Sequence, residues 1–470
     1  MKNQLNPLGK ENLPDPLPFR KLIGPSFIIL GASLGSGELI LWPYLSSNFG
    51  LGIIWAAVLG ITFQFFINME IERYTLATGE SIFVGLTRKY GRFAPIWFIL
   101  STLIPWMWPG LIASSAKLLA KAFSLNYSGI IGIILLLLVG GIYSLGSVVY
   151  KTQERVQKTL VLIGIPFILI LTMLFTKSNH VQSLVQGLIG KGEGFWFLPV
   201  GIPLATFLGA FAYAGAGGNL NLAQSLYIKE KGYGMSKYSG RITNLLSGKK
   251  EKITLEGKTF DLNNENLKKF NIWWKRINIE HLIVFWFMGA FTMILLSLLA
   301  YSTVFGHANI ETSINFVINE GLVIGSKTIP FLGTFFLIMA GIMLFGTQYS
   351  VVGSNARIMS ENLIISSKEK FKIEKLPKYF YIFLWLQIFA GILIFALGFT
   401  EPLTLVVIGA VLNAISMFIY TGLVLRLNQT NLEKPLRPSF FRIFAVFSAF
   451  LFYGIFSFIT IFQNIQKIFT

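Results

Sequence analysis

Apolar residues fill this chain in long runs, parted by short polar and charged stretches. Runs near residues 22–45, 53–69, 94–116, 129–145, 160–175, 197–226, 282–305, 329–352, 379–397, 403–425 and 441–462 predict about 11 membrane-spanning helices. A hydrocarbon core of about 30 Å needs roughly twenty residues at about 1.5 Å each. Two of the runs are interrupted. In the first, Gly35 and Gly37 flank Ser36, and the carboxylate of Glu38 follows at once. Each glycine inside a helix costs roughly 1 kcal/mol relative to alanine. In the sixth, Ala214-Gly215-Ala216-Gly217-Gly218-Asn219 breaks the pattern. The third carries Pro105 and Pro109 and is expected to kink.

A broken helix with an acid at the break is a way to bind a solute inside a membrane. Unwound backbone offers carbonyls, and half-helix ends offer partial charges. A carboxylate at mid-membrane is expensive, so it faces protein or water. Glycines in membrane helices also serve close packing alone, but the second break favours the binding reading. The breaks lie five spans apart, the layout of two inverted five-helix repeats whose interrupted helices meet near the bilayer midplane. In this respect the chain resembles the LeuT-type fold. The expected class is an all-α membrane protein with a 5+5 inverted repeat and broken helices 1 and 6. The two halves show no obvious identity, so this rests on hydropathy and position.

Charge then sets topology. The chain has 470 residues, 54% of them hydrophobic, and a net charge of +18. With the N-terminus inside, the inner loops hold Arg73, Arg88, Lys89 and Arg92, then Lys151, Arg155 and Lys158, then the Lys-rich segment 229–276. Arg357 with Lys368 to Lys378, and Arg426, Lys434, Arg437 and Arg442, continue the series. The outer loops hold few bases, such as Lys177 and Lys191, or are acidic at Glu311, Glu320 and Glu401. This alternation predicts a cytoplasmic N-terminus and an external C-terminus, in what reads as a prokaryotic cytoplasmic membrane. It accounts for the basic balance without nucleic acid. Expected partners are membrane lipids and a transported solute, and the expected state is a monomer or weak dimer.

The chain has no cysteine, which excludes disulfides and thiolate metal centres. His180, His281 and His307 fall in or near loops, so no His-rich metal site is expected. Residues 1–21 read as a polar cytoplasmic tail, 22–226 as the first repeat plus helix 6, 281–427 as helices 7–10, and 428–470 as a loop with helix 11. Residues 227–280 form a hydrophilic cytoplasmic insertion, read as a solvated excursion. Within it, 253–260 alternates like a small hairpin or edge strand, and Trp273-Trp274-Lys275-Arg276 is the stretch that would suit a headgroup layer.

Three stretches resemble the Nramp family of metal-ion transporters. Gly24-Pro25-Ser26-Phe27 is similar to its Gly-Pro-Gly-Phe opening, and Arg73 with Thr78-Gly79 to its Arg-Leu-Gly-x-x-Thr-Gly turn. Gly217-Gly218-Asn219-Leu220-Asn221-Leu222-Ala223-Gln224-Ser225 falls where that family has Met-Pro-His-Asn-x-Tyr-Leu-His-Ser. The resemblance implies an eleven-span transporter working by alternating access. The departures are specific. Where the family has Asp-Pro-Gly-Asn, this chain has Gly35-Ser36-Gly37-Glu38, and the family's Met and His ligands become Gly217 and Asn219. A thioether selects softer transition metals, and here it is missing.

The candidate binding residues are Gly35, Ser36, Gly37, Glu38, Ala214, Gly217, Gly218, Asn219 and Asn221, with Glu38 as the one candidate metal ligand. Ser33, Gln348, Tyr349 and Asn413 are candidate cavity-lining residues, with packing as the alternative role; Trp106 and Trp108 are read chiefly as packing or lipid-facing aromatics. Glu70, Glu72 and Arg73 form a candidate inner gate or an ordinary interfacial cluster. Hard oxygen ligands suit magnesium, calcium or manganese, and the first functional expectation is transport of such a divalent cation. The glycines also leave room for an organic or amino-acid solute whose amine pairs with Glu38. A transport-inactive sensor of the same fold is the third reading. Beyond Glu38 the spans offer no acid or histidine for a relay, so strong proton coupling is not expected. No cofactor and no enzymatic role are expected. The chain shows no nucleophile–base constellation, no phosphate loop in a soluble context and no ATP-binding domain.

Overall fold

The computed structural model describes residues 5–127, 129–145, 149–239, 254–306, 314–367 and 370–469. Among these, nine helices are long and apolar enough to cross a membrane. They are Pro25–Phe49, Leu51–Thr78, Phe93–Ala122, Tyr150–Phe175, Asn264–Thr303, Pro330–Ser366, Ile373–Ala396, Pro402–Asn431 and Phe440–Gln463. The apolar helix Gly129–Leu145 adds a crossing between the third and fourth of these. The interrupted pair Leu204–Ala212 and Leu220–Lys231 adds another, ahead of Asn264–Thr303. Numbered along the chain, these are spans 1 to 11, and the molecule is an all-α, multi-pass membrane protein of the expected class.

Burial orders the spans. The apolar window of span 1 is 94% buried and that of span 11 only 28%, so span 1 is the axis and span 11 a peripheral addition. Large apolar side chains such as Ile130, Ile134, Phe389, Phe444 and Phe458 point outward. In a soluble protein these would be a liability; in a bilayer they are the lipid face. Span 3 breaks between Phe93–Trp106 and Gly110–Ala122, where Pro109 cannot supply an amide to the ladder.

The two interruptions take different forms. In span 6 the helix stops at Ala212 and restarts at Leu220. Gly217 and Gly218 there adopt left-handed φ values of 74° and 52°, which a side chain would strain. In span 1 the expected unwinding does not occur. Helix Pro25–Ser33 passes into a wide π-type helix, Leu34–Leu41, and returns to α-helix at Trp42–Phe49. The π geometry keeps backbone groups paired within the helix while widening it, so span 1 presents a swollen helix and span 6 a true gap.

The insertion is docked rather than solvated, which corrects the expectation for its described part. Lys258–Thr259 pairs in parallel with Gly9–Lys10 of the N-terminal tail, so the alternating stretch is an edge strand whose partner is the tail. Leu255, Phe260 and Phe270 are buried. Trp273 is buried too and donates its indole N–H to the Pro14 carbonyl at 2.8 Å. Arg276 donates to the carbonyls of Pro16 and Leu17 at 2.9 and 2.7 Å. Trp274 lies under the guanidinium of Arg73, 3.9 Å from its ring centre, and near Arg442 at 4.8 Å. Both tryptophans are therefore taken up by protein, not headgroups. His281 ends the helix Asn264–His281 and is wholly buried, inside the bundle rather than in a loop. The lysine run 249–252, His307 and Glu311 lie outside the described residues.

The tail thus straps the basic end of the bundle, with Leu13 inserted as its apolar anchor at 1% exposure. Replacing Leu13→Asp buries a charge in an apolar slot and is expected to release the tail. Limited proteolysis should then cut within residues 5–17 many times faster than in the parent, with the melting temperature lowered by several degrees. An unchanged cleavage rate would show that the strap is not held by Leu13.

Candidate functional site

Glu38 lies in the widened segment of span 1 and is fully buried. Its Oε1 is 2.7 Å from Ser33 Oγ, and its Oε2 has no hydrogen-bond partner among the described residues. Ser33 has one hydroxyl hydrogen but two acceptors at 2.7 Å, Leu30 O and Glu38 Oε1. One hydrogen cannot serve both. With a proton on Glu38, the carboxyl donates to Ser33 and the set closes. With Glu38 ionised, a buried negative charge stands without a basic partner among the described residues and calls for a cation. The carboxylate faces spans 2 and 7, since a methyl built on Gly289 would meet Glu38 Oε1 at 3.5 Å and Ile61 at 2.5 Å.

Span 1 touches the gap of span 6 through backbone. A methyl on Gly37 would lie 1.7 Å from the Tyr213 carbonyl oxygen. Only hydrogen fits there, so Gly37 lets the swollen helix sit directly against the end of the first half-helix. The gap itself is held by Gln64 of span 2. Gln64 Nε2 donates to Ala212 O at 2.8 Å, the last carbonyl before the gap. Gln64 Oε1 accepts from the Gly217 amide at 3.2 Å and from Asn221 Nδ2 at 3.1 Å. One amide side chain satisfies both lips of the break, where unpaired backbone groups in a bilayer each cost several kcal/mol.

The other candidates divide. Asn219 donates to Ser101 Oγ and Thr102 Oγ1 of span 3 at 2.8 and 2.9 Å. Asn221 donates to Tyr420 OH of span 10 at 2.9 Å, and Asn413 to Tyr213 OH at 2.9 Å. These amides pin the broken helix to its neighbours and do not converge on Glu38. Gly218 backs directly onto Asn413, and Ala214 onto Gly60. Ser36 Oγ is buried without a partner among the described residues, the state of a group awaiting one. Tyr349 stacks on Tyr143 at 4.2 Å and faces span 4, away from Glu38, and Gln348 is buried in the same turn. Span 8 reaches span 1 through Thr347, which donates to Gly31 O at 3.0 Å and packs against Gly35, and through Ser350, which donates to Ile28 O at 3.2 Å. Trp106 stacks on Tyr213 at 5.2 Å, and with Trp108 it lines a narrow pocket beside the gap.

The inner-gate trio splits across two faces of span 2. Arg73 grips Glu70 in a bidentate pair at 2.8 and 3.2 Å, and Asn428 and Arg442 also reach Glu70. Glu72 turns the other way, toward Gln224 and His281. Sequence reasoning missed Gln64, Thr347, Asn68 and His281. Gln64 and Asn68 had a legible signal, as amides inside the apolar run 53–69. Among the described residues no group of three or more His, Cys, Asp or Glu could hold a metal ion. A metal at Glu38 would therefore rest on one carboxylate with neutral oxygens and water.

Eleven spans with a gap in the sixth and an acid in the first fit the LeuT-type layout expected from the sequence, and the fold is similar to that of solved transporters. A mutant of the manganese transporter of Eremococcus coleocola matches it with a TM-score of 0.70 over 98% of this chain and 91% of that one, at 12% identity. The same transporter in complex with an aromatic bis-isothiourea substituted compound matches with 0.67 over 97% and 90%, also at 12%. A nucleobase-cation-symport-1 family transporter in a closed conformation, with bromovinylhydantoin bound, gives 0.55 over 93% and 84%, at 12%. No protein-family model and no curated protein sequence matches the chain.

The close approach at Gly37 gives a direct test of the joint between spans 1 and 6. Gly37→Ala is expected to force the two apart and lower the melting temperature by several degrees. Gly141→Ala, where an added methyl meets nothing within 4 Å, is the matched control and should leave it unchanged. Equal behaviour of the two variants would remove the role given to this contact.

Proposed function

We propose that the chain is a secondary transporter that moves a cation by alternating access, with Glu38 as the charge that receives it. The observation that carries this reading is the Glu38 carboxylate, fully buried with one oxygen unpartnered among the described residues and no base at hand. A divalent cation of the magnesium, calcium or manganese class is the proposed cargo. Glu38 Oε2, Ser33 and Ser36 hydroxyls and backbone carbonyls are hard ligands, and an ion bound by one carboxylate keeps part of its water. The absence of a thioether in this ligand set argues against selection for softer metals.

An amine-bearing organic solute is the second reading. It is favoured by the narrow pocket beside the gap, lined by Trp106, Trp108 and Tyr213, whose rings suit an ammonium group. In either case the fold supplies the moving parts. The half-helices of span 6 and the widened turn of span 1 are the places where a small change in packing re-aims a site without breaking a long helix.

Calorimetric titration of the purified protein with Mg²⁺, Ca²⁺ and Mn²⁺, parent beside Glu38→Gln, decides between them. Saturable binding of at least one ion, weakened at least tenfold by the substitution, is expected for the divalent reading. Binding of alkylamines but of none of the three ions would transfer the assignment to the organic solute. Binding of neither class would refute the transporter reading of Glu38.

A further inference from the structure

The tail lies across the basic end of the bundle as a peptide lies on a binding protein. Its stretch Leu13-Pro14-Asp15-Pro16-Leu17-Pro18 has a proline at every second position. Proline fixes φ and removes the amide, so the segment cannot fold on itself as helix or sheet. Pro18 has φ −63° and ψ 148°, close to the polyproline II helix, whose carbonyls have no partners of their own. Side chains take these carbonyls in turn. Tyr238 OH donates to Asn12 O at 2.9 Å, Trp273 to Pro14 O, and Arg276 to Pro16 O and Leu17 O. Aromatic side chains gripping an extended proline-rich segment is how dedicated peptide-recognition domains work. Here the recognition face and its ligand belong to one chain.

The ligand is held on one side only. Leu13 is buried, while Asp15, Pro18 and Phe19 stay exposed. Three ion pairs join tail to face, Lys10–Asp261, Glu11–Lys258 and Asp15–Lys269, at 2.6, 2.9 and 3.0 Å. All three carboxylates are open to water, where such pairs hold weakly. A segment held by one apolar anchor and a row of surface contacts can leave while the bundle stays folded.

Directly after the proline stretch comes the mouth of span 1. Tyr233 OH donates to Leu22 O, and the Tyr233 ring lies 5.8 Å from that of Trp273. Lys158 and Lys231 donate to Ile23 O at 3.4 and 3.3 Å, and both pair with Glu154. Gly24 passes so close that an added methyl would meet Tyr150 OH, Glu154 Oε1 and Lys231 Nζ at 2.7, 2.8 and 2.9 Å. The neighbouring rings of Trp273 and Tyr233 thus hold the tail and the mouth of span 1 together. A seated tail ties that mouth to spans 5, 6 and 7.

We propose that the insertion and helix Asn264–His281 form a recognition face for proline-rich peptide, that the tail is its exchangeable ligand, and that release of the tail frees the basic end of span 1. The tail then acts as an autoinhibitory lock on the movement of span 1, a clause that rests on the transporter reading above.

The chain has no cysteine, so a single one can be labelled without background. Ser26 is wholly buried just inside the mouth, and Ser26→Cys changes its size little. Two variants release the tail by different means. One is Leu13→Asp; the other combines Lys10→Glu, Glu11→Lys and Asp15→Lys, and alters exposed side chains only. In lipid nanodiscs, reaction of the cysteine with a water-soluble maleimide is expected to be slow with the native tail. Each variant should speed it at least tenfold. A rate unchanged in the charge-reversed variant would overturn the lock, even where Leu13→Asp does not fold. The face is tested by anisotropy of a fluorescent peptide of residues 7–20. Saturable binding to the charge-reversed variant is expected, at least tenfold weaker to the parent, whose face is occupied, and at least tenfold weaker when Arg276→Ala is added. Equal binding to all three, or binding to none, would overturn the recognition face. In proteoliposomes the charge-reversed variant should take up Mn²⁺ at least threefold faster than the parent. An equal rate in a parent that transports would overturn the autoinhibition. Absence of Mn²⁺ flux in the parent counts against the proposed cargo, while labelling and peptide binding still decide the lock and the face.

Discussion

Inside a bilayer no water completes an unfinished hydrogen bond, and this single constraint shapes the centre of the molecule. A gap in span 6 leaves a carbonyl at Ala212 and an amide at Gly217 facing each other with nothing in between. Gln64 is the solution, one side chain with a donor for the first lip and an acceptor for the second. Span 1 meets the same constraint differently, widening into a π segment over Leu34–Leu41 instead of opening. The two devices lie against each other at Gly37 and Tyr213, where the absence of a side chain brings backbone to backbone. Loosening any one of these exposes polar groups that the others cannot reach.

Two buried acidic centres follow from this frame, and they differ in kind. Glu38 is alone, backed by a serine that cannot satisfy it fully. Glu72 and Glu280 share one side of the His281 imidazole, Glu72 reaching Nδ1 directly and Glu280 through Ser26. The first arrangement leaves a ligand position free, and the second spends its polar groups on one another across spans 1, 2, 6 and 7.

The fold was largely legible because hydrophobic run length and loop charge are one-dimensional properties. Eleven runs, the break at Gly217-Gly218 and the kink near Pro109 could all be read without knowing what packs where. The site was legible only in part. Glu38 stood out because a carboxylate in an apolar run is rare. Asn219 and Asn221 also stood out, but sequence gives no direction for a side chain, and both turn toward spans 3 and 10. The π segment was misread as an unwound one, since glycine signals a departure from α-helix without saying which. His281 and the docked insertion were hidden for the opposite reason. A polar stretch beside a span looks solvated until the tail that covers it is known, and that tail is more than two hundred residues away.

That separation has a consequence for how the molecule is made. Pro14 and Trp273 are hydrogen-bonded partners 259 residues apart, and the strand at Gly9–Lys10 finds its mate at Lys258–Thr259. The tail leaves the ribosome before the segment it docks on, and that docking surface is finished only after six spans have been threaded into the bilayer. During that interval Leu13 and its neighbours have no native place to go and are open to chaperones or to wrong pairing. Closing so long a loop adds little entropic penalty once the spans are assembled, because the bundle has already brought the ends together. The strap is therefore a late event in biogenesis, and its closure reports that the first half of the protein has been inserted in register.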